Sequence, residues 1–98
     1  MEEIEREDWQ IIIEFSIPVN PETVTRDSII INGEPLPSDV NFLFDRKGIK
    51  MAIYEHPQWA DKTITIEIKN IMSYNNEVMI TPLSPVRLRP DDEYEWDD

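Results

Sequence analysis

The sequence predicts an all-β fold, a sandwich of about seven antiparallel strands in one domain. Apolar and polar residues alternate in several short stretches, which is the period of two of a strand with one buried face. These stretches recur roughly every 8 to 12 residues and are separated by turn residues, as in a sandwich. The 98 residues, 40% of them hydrophobic, suffice for one core but not for a second domain.

The most regular alternation occupies residues 9–17. One parity is mostly polar, and the other carries the large apolar side chains Trp9, Ile11, Ile13, Phe15 and Ile17. Only Ile12 departs from the pattern. We therefore predict a core strand here, with the five apolar side chains on its buried face.

A short helical turn is predicted near residues 21–24. Pro18 offers no donor to a β-ladder and so ends the preceding strand. Asn20 is suited to cap the amides that follow, and Pro21 to occupy the first helical position, where its missing N–H would be unpaired anyway. Val24 would then close the turn onto the core.

The stretch FSIPVNPETVTRDSIIING, residues 15–33, resembles the bacterial Ig-like domains of the S-layer-protein type. In that family a first core strand ends in the pattern Phe-Ser-x-Pro-Val-x-Pro-x-Thr-Val, and the next strand begins after a Ser. The resemblance extends over roughly residues 9–89. It implies an Ig-like sandwich with Greek-key connections, within a larger bacterial cell-envelope or secreted protein.

The next strands follow from local turn chemistry. Residues 28–31 are rich in β-branched side chains and lead into Asn32-Gly33, a turn dipeptide because both residues accept positive φ. Pro35 and Pro37 predict a loop at residues 34–38.

A β-hairpin is predicted in residues 40–53. Each of its strands carries its apolar residues on one parity, namely Val40, Phe42 and Phe44, then Ile49, Met51 and Ile53. Gly48 suits the left-handed position of the connection. Residues 55–61 would form a crossover loop in which Trp59 plugs the end of the sandwich.

The last third of the chain predicts two more strands. Residues 63–69 alternate strictly, and their inward side chains would be Ile64, Ile66 and Ile68. Residues 70–79 correspond to a loop of the resembled family, with Ser73 where Asp is usual and Asn76 where Gly is usual. Residues 78–81 and 86–89 would make the last strand, interrupted by two prolines.

Most of the negative charge lies at the two ends. In residues 1–8, five acids against Arg6 give −4, and six acids give residues 91–98 a charge of −6, so only −2 of the total −12 remains for residues 9–90. This distribution predicts an Ig-like domain at residues 9–90. Residues 1–8 would be an acidic leader or a weak first edge strand, and residues 91–98 an acidic, disordered tail.

The sequence predicts no enzyme, no cofactor and no metal site. His56 is the only histidine and there is no cysteine, so the usual nucleophile and base arrangements have few residues to draw on. The aspartates fall at strand ends, where turn formation explains them. The dispersed basic residues argue against nucleic acid as a partner, and no apolar run approaches the length of a membrane span.

Five aromatic residues are candidates for an interaction surface. Tyr54, Trp59 and Tyr74 would form a sugar-stacking platform if they shared a face, although a packed Trp59 and a Tyr74 in a turn is the simpler interpretation. Tyr94 and Trp96 lie in the acidic tail, where they would either dock on a neighbouring domain or remain solvated.

Together these features predict a non-catalytic Ig-like spacer or protein-interaction module. Its partners would be neighbouring domains of a parent protein or another envelope protein. The resemblance implies a secreted or cell-envelope location, although residues 1–5 have neither the basic nor the apolar region of a signal peptide. A carbohydrate-binding or enzyme-accessory module is one alternative. A free-standing acidic inhibitor or mimic is another, and it requires the charge to lie on the folded body.

Overall fold

A computed structural model describes residues 2–7 and 9–96 of the chain. Within these residues there are nine β-strands and a single 3₁₀ turn at Pro21–Thr23. The strands are β1 (Glu2–Glu7), β2 (Gln10–Glu14), β3 (Ile29–Ile31), β4 (Glu34–Pro35), β5 (Phe42–Phe44), β6 (Lys50–Tyr54), β7 (Ile64–Ile68), β8 (Leu83–Leu88) and β9 (Glu93–Trp96). The all-β prediction is confirmed.

The strands form two antiparallel sheets. The larger sheet has the order β5-β6-β2-β1-β9, and the smaller one has the order β4-β3-β7-β8. The chain crosses between the sheets after β2, β4, β6 and β8. Without β9, this is the strand order of an Ig-type sandwich, in which strands D-E-B-A face strands C′-C-F-G. The two strands beyond the predicted seven are β4 and β9.

Alternation places the core as predicted for most of β2. Ile11, Ile13 and Phe15 are buried between the sheets. Trp9 and Ile17 are not, with 72% and 38% of their surfaces exposed, so their predicted burial is wrong. The reason is the length of the strand: Trp9 lies in the hairpin turn before β2 with φ of 73°, and Ile17 lies beyond its last residue.

The predicted turns form where the sequence places them. Asn32 and Gly33 have φ of 53° and 81°, and Gly48 has φ of 69°. A side chain at Gly48 would meet the carbonyl oxygen of Val19 at 3.0 Å, so glycine is required there for space as well as for conformation. The Asn20 side chain accepts a hydrogen bond of 3.0 Å from the N–H of Glu22, which caps the 3₁₀ turn.

One loop prediction and the first half of one strand prediction are wrong. Residues 34–38 include β4, because Pro35 is tolerated at the edge of a sheet, where its missing N–H faces solvent. Residues 78–81 belong to a loop, in which Met72 and Met79 form an isolated bridge, and the last predicted strand is β8 instead.

A first strand in residues 1–8 is confirmed for residues 2–7, but its predicted edge position and the predicted disorder of the tail are wrong. β1 is not an edge strand but lies between β2 and β9, and the tail residues Glu93–Trp96 form β9 rather than a disordered segment. Residues 97–98 of that tail lie outside the described part. Burial explains the order: Ile4 and Trp96 point into the core, and Tyr94 is half-buried. Glu2 is buried on the same parity, while the remaining glutamates of both strands lie on the outer parity.

Candidate functional site

The structure does not bring the five candidate aromatic residues together. Trp59 and Trp96 are buried, and Tyr94 is half-buried against the core. Tyr54 is exposed and pairs with Gln10 at one end of the sheet, whereas Tyr74 bonds to Pro18 beyond the opposite end of β2. The three residues required for a sugar-stacking platform therefore do not share a face.

The outer surface of the larger sheet carries a set of glutamates that we call the acidic face. These glutamates alternate with inward-facing residues on three adjacent strands. They are Glu3, Glu5 and Glu7 of β1, Glu14 of β2, and Glu93 and Glu95 of β9. Glu3 lies between Glu14 and Glu95, and Glu5 lies beside Glu93. Like charges are thus directly opposite across both ladders of β1, an arrangement that destabilises a sheet.

The titration of the acidic face reflects this crowding. Burial raises the pKa of Glu3, and repulsion from Glu14, Glu93 and Glu95 raises it further. A hydrogen bond with Glu7 and the charge of Glu7 raise the pKa of Glu5. Both shifts mean that cationic groups placed over this face would stabilise the charged glutamates and hence the sheet.

Three carboxylates of the acidic face lie close enough to share one cation. Oxygen atoms of Glu3, Glu93 and Glu95 are all within 4.8 Å of one another. Carboxylate oxygens are the ligands that Ca²⁺ prefers. The same oxygens could equally accept hydrogen bonds from the ammonium or guanidinium group of a partner protein.

Next to the acidic face lies an apolar strip, formed by Ile12 of β2, Ala52 of β6 and Leu43 of β5. Ile12 pairs with Ala52, and Ala52 pairs with Leu43, so the three residues form one row across the sheet. Glu5 continues that row on β1. Leu43 is 58% exposed, and the strip borders a shallow cleft of about 230 Å³. The outer face therefore carries its glutamates on β1, β2 and β9, and an apolar row on β2, β6 and β5 beside the exposed Lys50.

A buried arginine anchors the strand that carries half of the acidic face. The Arg6 side chain is fully buried, and its guanidinium group lies 2.6 Å from the Glu55 carboxylate. It also donates hydrogen bonds of 2.8 Å to the carbonyl oxygens of Leu88 and Trp59. Since Leu88 ends a strand of the other sheet, Arg6 ties the two sheets together. A sequence signal existed, because Arg6 shares the inward parity of Ile4.

The turn before β9 is held by Asp92. Its carboxylate accepts hydrogen bonds from the backbone N–H groups of Arg89 and Glu93, and these bonds lower the pKa of Asp92. The carbonyl oxygen of Asp92 accepts a bond of 2.6 Å from the N–H of Arg6. Asp92 therefore directs the last segment of the chain onto β1.

The hydrogen bonds of His56 hold the loop in which it lies. Its Nδ1 accepts a hydrogen bond of 3.1 Å from the N–H of Gln58. Its Nε2 therefore carries the proton and donates a hydrogen bond of 3.0 Å to the Asp39 carboxylate. Its ring lies 6.3 Å from that of Trp59. Both nitrogens thus fasten the crossover loop.

A second exposed apolar surface lies at the end of the sandwich where β1 begins. Ile17, Pro18, Tyr74 and Val78 line an open cleft of about 320 Å³. Ser73, at the position where the resembled family has Asp, bonds to the Asn75 side chain and keeps this loop folded.

Comparisons with known proteins identify no relative: no family model, no curated protein and no solved structure matches this chain. Among residues 2–7 and 9–96, no helix is long and apolar enough to cross a membrane.

Proposed function

We propose that this chain is a non-catalytic Ig-like protein-interaction module of a larger bacterial cell-envelope or secreted protein. It binds a basic partner through the outer face of its larger sheet. The acidic face carries this proposal, because six glutamates lie on three adjacent strands with like charges opposite each other. The envelope context comes from the resemblance of residues 15–33 to Ig-like domains of S-layer proteins.

Repulsion between the glutamates of the acidic face destabilises the folded protein. A surface that served solubility alone would intersperse both signs of charge, whereas here Glu3 is surrounded by Glu14, Glu93 and Glu95. Lys50 lies 3.8 Å from Glu14 and offsets only part of this charge. A partner with Lys and Arg side chains relieves the repulsion, and the field of the face speeds its approach.

The apolar strip specifies the partner further. Ile12, Ala52 and Leu43 form a row that continues directly from Glu5. A partner that fits both the acidic face and the apolar strip therefore has an apolar ridge flanked by basic side chains, as a basic amphipathic helix does.

A specific observation also favours the acidic inhibitor or mimic as a second candidate. That function requires the negative charge to lie on the folded body. β1 and β9 belong to the larger sheet, so the glutamates near both ends of the sequence lie on one folded surface. A mimic would compete with a polyanion such as heparin for a basic protein, whereas a module that binds the apolar ridge as well would be displaced only in part.

The proposal is tested with a helical peptide that carries a leucine stripe flanked by lysines. We expect the triple variant Glu3→Gln, Glu5→Gln and Glu93→Gln to bind this peptide about 5- to 30-fold more weakly, because each substitution removes one charge pair with a lysine. The matched control replaces three exposed glutamates elsewhere, Glu22, Glu34 and Glu77, by Gln.

Calorimetry at two salt concentrations measures both affinities. Equal weakening by the two triple variants would show that only the net charge matters, and the acidic face would then have no special role.

A further inference from the structure

The edges of the two sheets differ in how they are protected against pairing with another strand. β4 contains Pro35 and β8 contains Pro85, each of which removes a backbone donor. β9 carries Glu93 and Glu95, so a second acidic strand would be repelled. Within the described chain, only the edge strand β5 (Phe42–Phe44) has neither a proline nor a charged residue.

The free backbone groups of β5 can be assigned from its pairing with β6. Tyr54 donates a hydrogen bond to Asn41, and Asp45 donates one to Lys50. Hydrogen bonds in an antiparallel pair involve every second residue, so Leu43 also faces β6. The N–H and C=O groups of Phe42 and Phe44 therefore point away from the sheet.

We propose that β5 pairs with β5 of a second copy of this chain, antiparallel and with the two-fold axis at Leu43, to give a continuous ten-stranded sheet. Phe42 then lies opposite Phe44 of the other copy at both symmetric positions, which forms four backbone hydrogen bonds. Asn41 lies opposite Asp45 of the other copy, so an amide faces a carboxylate at each end.

The exposure of the β5 side chains is consistent with a second copy of this chain as the partner. Leu43 is 58% exposed on the outer face, and the second copy's Leu43 would lie directly opposite and pack against one side of it, leaving the outward side of the apolar strip accessible. Phe42 and Phe44 are only half-buried, because each packs against the core at the open edge of the sheet. The same strand from a second copy supplies apolar side chains on both faces, as an isologous interface requires.

The distribution of charge permits this dimer despite the net charge of −12. The acidic face lies on β1, β2 and β9, away from the β5 edge. With about 4.8 Å between neighbouring strands, the two β1 strands of the dimer would be roughly 34 Å apart. That distance exceeds the screening length of about 8 Å at physiological salt, so repulsion between the acidic faces is weak.

The dimer also has a consequence for binding. Both acidic faces would lie on the same side of the continuous sheet, so the pair could engage a basic partner at two sites. The inference itself does not depend on the proposed function, because it rests on the edge of the sheet and not on the acidic face.

Cysteine cross-linking tests the pairing and its register together, since the full chain has no cysteine of its own. Opposite residues that are not hydrogen-bonded to each other have Cα atoms about 4.5 Å apart, within the range of a disulfide. We expect Leu43→Cys to form a covalent dimer under mild oxidation at least tenfold faster than Ser84→Cys. Ser84 is the control because it is exposed on the edge strand β8.

Sedimentation of the cysteine-free protein between about 1 µM and 1 mM measures association directly. We expect a monomer–dimer equilibrium that Leu43→Lys weakens at least tenfold and Ser84→Lys leaves unchanged, because paired lysines at the two-fold axis repel each other. A monomer at every concentration, or equal cross-linking rates for the two cysteine variants, would overturn the proposal. Circular dichroism confirms that the lysine variants remain folded.

Discussion

Replacing Arg6 by methionine should be among the most destabilising single changes in this protein. Methionine roughly fills the space of the arginine stem, so the perturbation is the loss of the charge and of its hydrogen bonds. The Glu55 side chain, which is 4% exposed, would lose its cation. The carbonyl oxygens of Leu88 and Trp59 would lose their donors.

The expected magnitude follows from these lost partners. Removing one member of a buried ion pair typically costs about 3 to 5 kcal/mol, because the remaining charge stays buried without compensation. For a domain of this size, each kcal/mol lowers the melting temperature by about 4 to 8 °C, so Arg6→Met should lower it by more than roughly 12 °C. Replacing Glu55 by Met as well should restore part of the loss, because no unpaired charge remains.

Urea unfolding measures the free energies of the two single variants and the double variant. Arg87→Met is the matched control, since Arg87 is exposed on β8 and should change stability by less than about 0.5 kcal/mol. If Arg6→Met cost no more than Arg87→Met, the buried ion pair would not hold the two sheets together, and the reasoning would fail.

Three further predictions concern the acidic face and the core. Because the folded-state pKa of both Glu3 and Glu5 is raised above the ordinary value of 4.5, their protonation favours the folded state. Their contribution to stability is therefore largest at low pH and is lost as pH rises through the raised pKa. The double variant Glu3→Gln and Glu5→Gln should be more stable than the wild type in urea at pH 7, with a difference that shrinks towards pH 4.5; a constant difference would contradict the sign. Trp96→Ala should cost roughly 3 to 5 kcal/mol, whereas Trp9→Ala, at an exposed position, should cost little, and equal losses would show that β9 is not packed. Phe15→Ala should cost about 3 to 5 kcal/mol by thermal unfolding, since Phe15 is 1% exposed, and a loss below 1 kcal/mol would place it outside the core.

The candidate site shows where sequence reasoning stopped. Residues 1–8 and 91–98 both read as separate, solvated acidic ends, because nothing in either segment indicates that the two pair. Once β1 and β9 are neighbours, Glu3, Glu5, Glu93 and Glu95 become one surface. Tyr54 and Tyr74 show the opposite case. Both are exposed aromatic residues that the sequence offers for one surface, yet they lie at opposite ends of the sheet.

Several features of the fold depend only on residues that are neighbours in the sequence. Alternation set the inward side chains of β2, β6 and β7, and the dihedral preferences of Asn and Gly set the turns at Asn32-Gly33 and Gly48. Such preferences act over two to five residues, so they can be recognised without a partner strand.

Which strand lies next to which depends on contacts between residues that are far apart in the sequence. Glu93–Trp96 carries alternating Glu and aromatic residues that suit either a solvated tail or a half-buried strand. The choice depends on whether the burial of Tyr94 and Trp96 and the ladder to β1 outweigh the repulsion between the glutamates. That balance involves residues about 90 positions apart in the sequence, and it is settled only when β1 provides both the hydrogen bonds and the apolar surface.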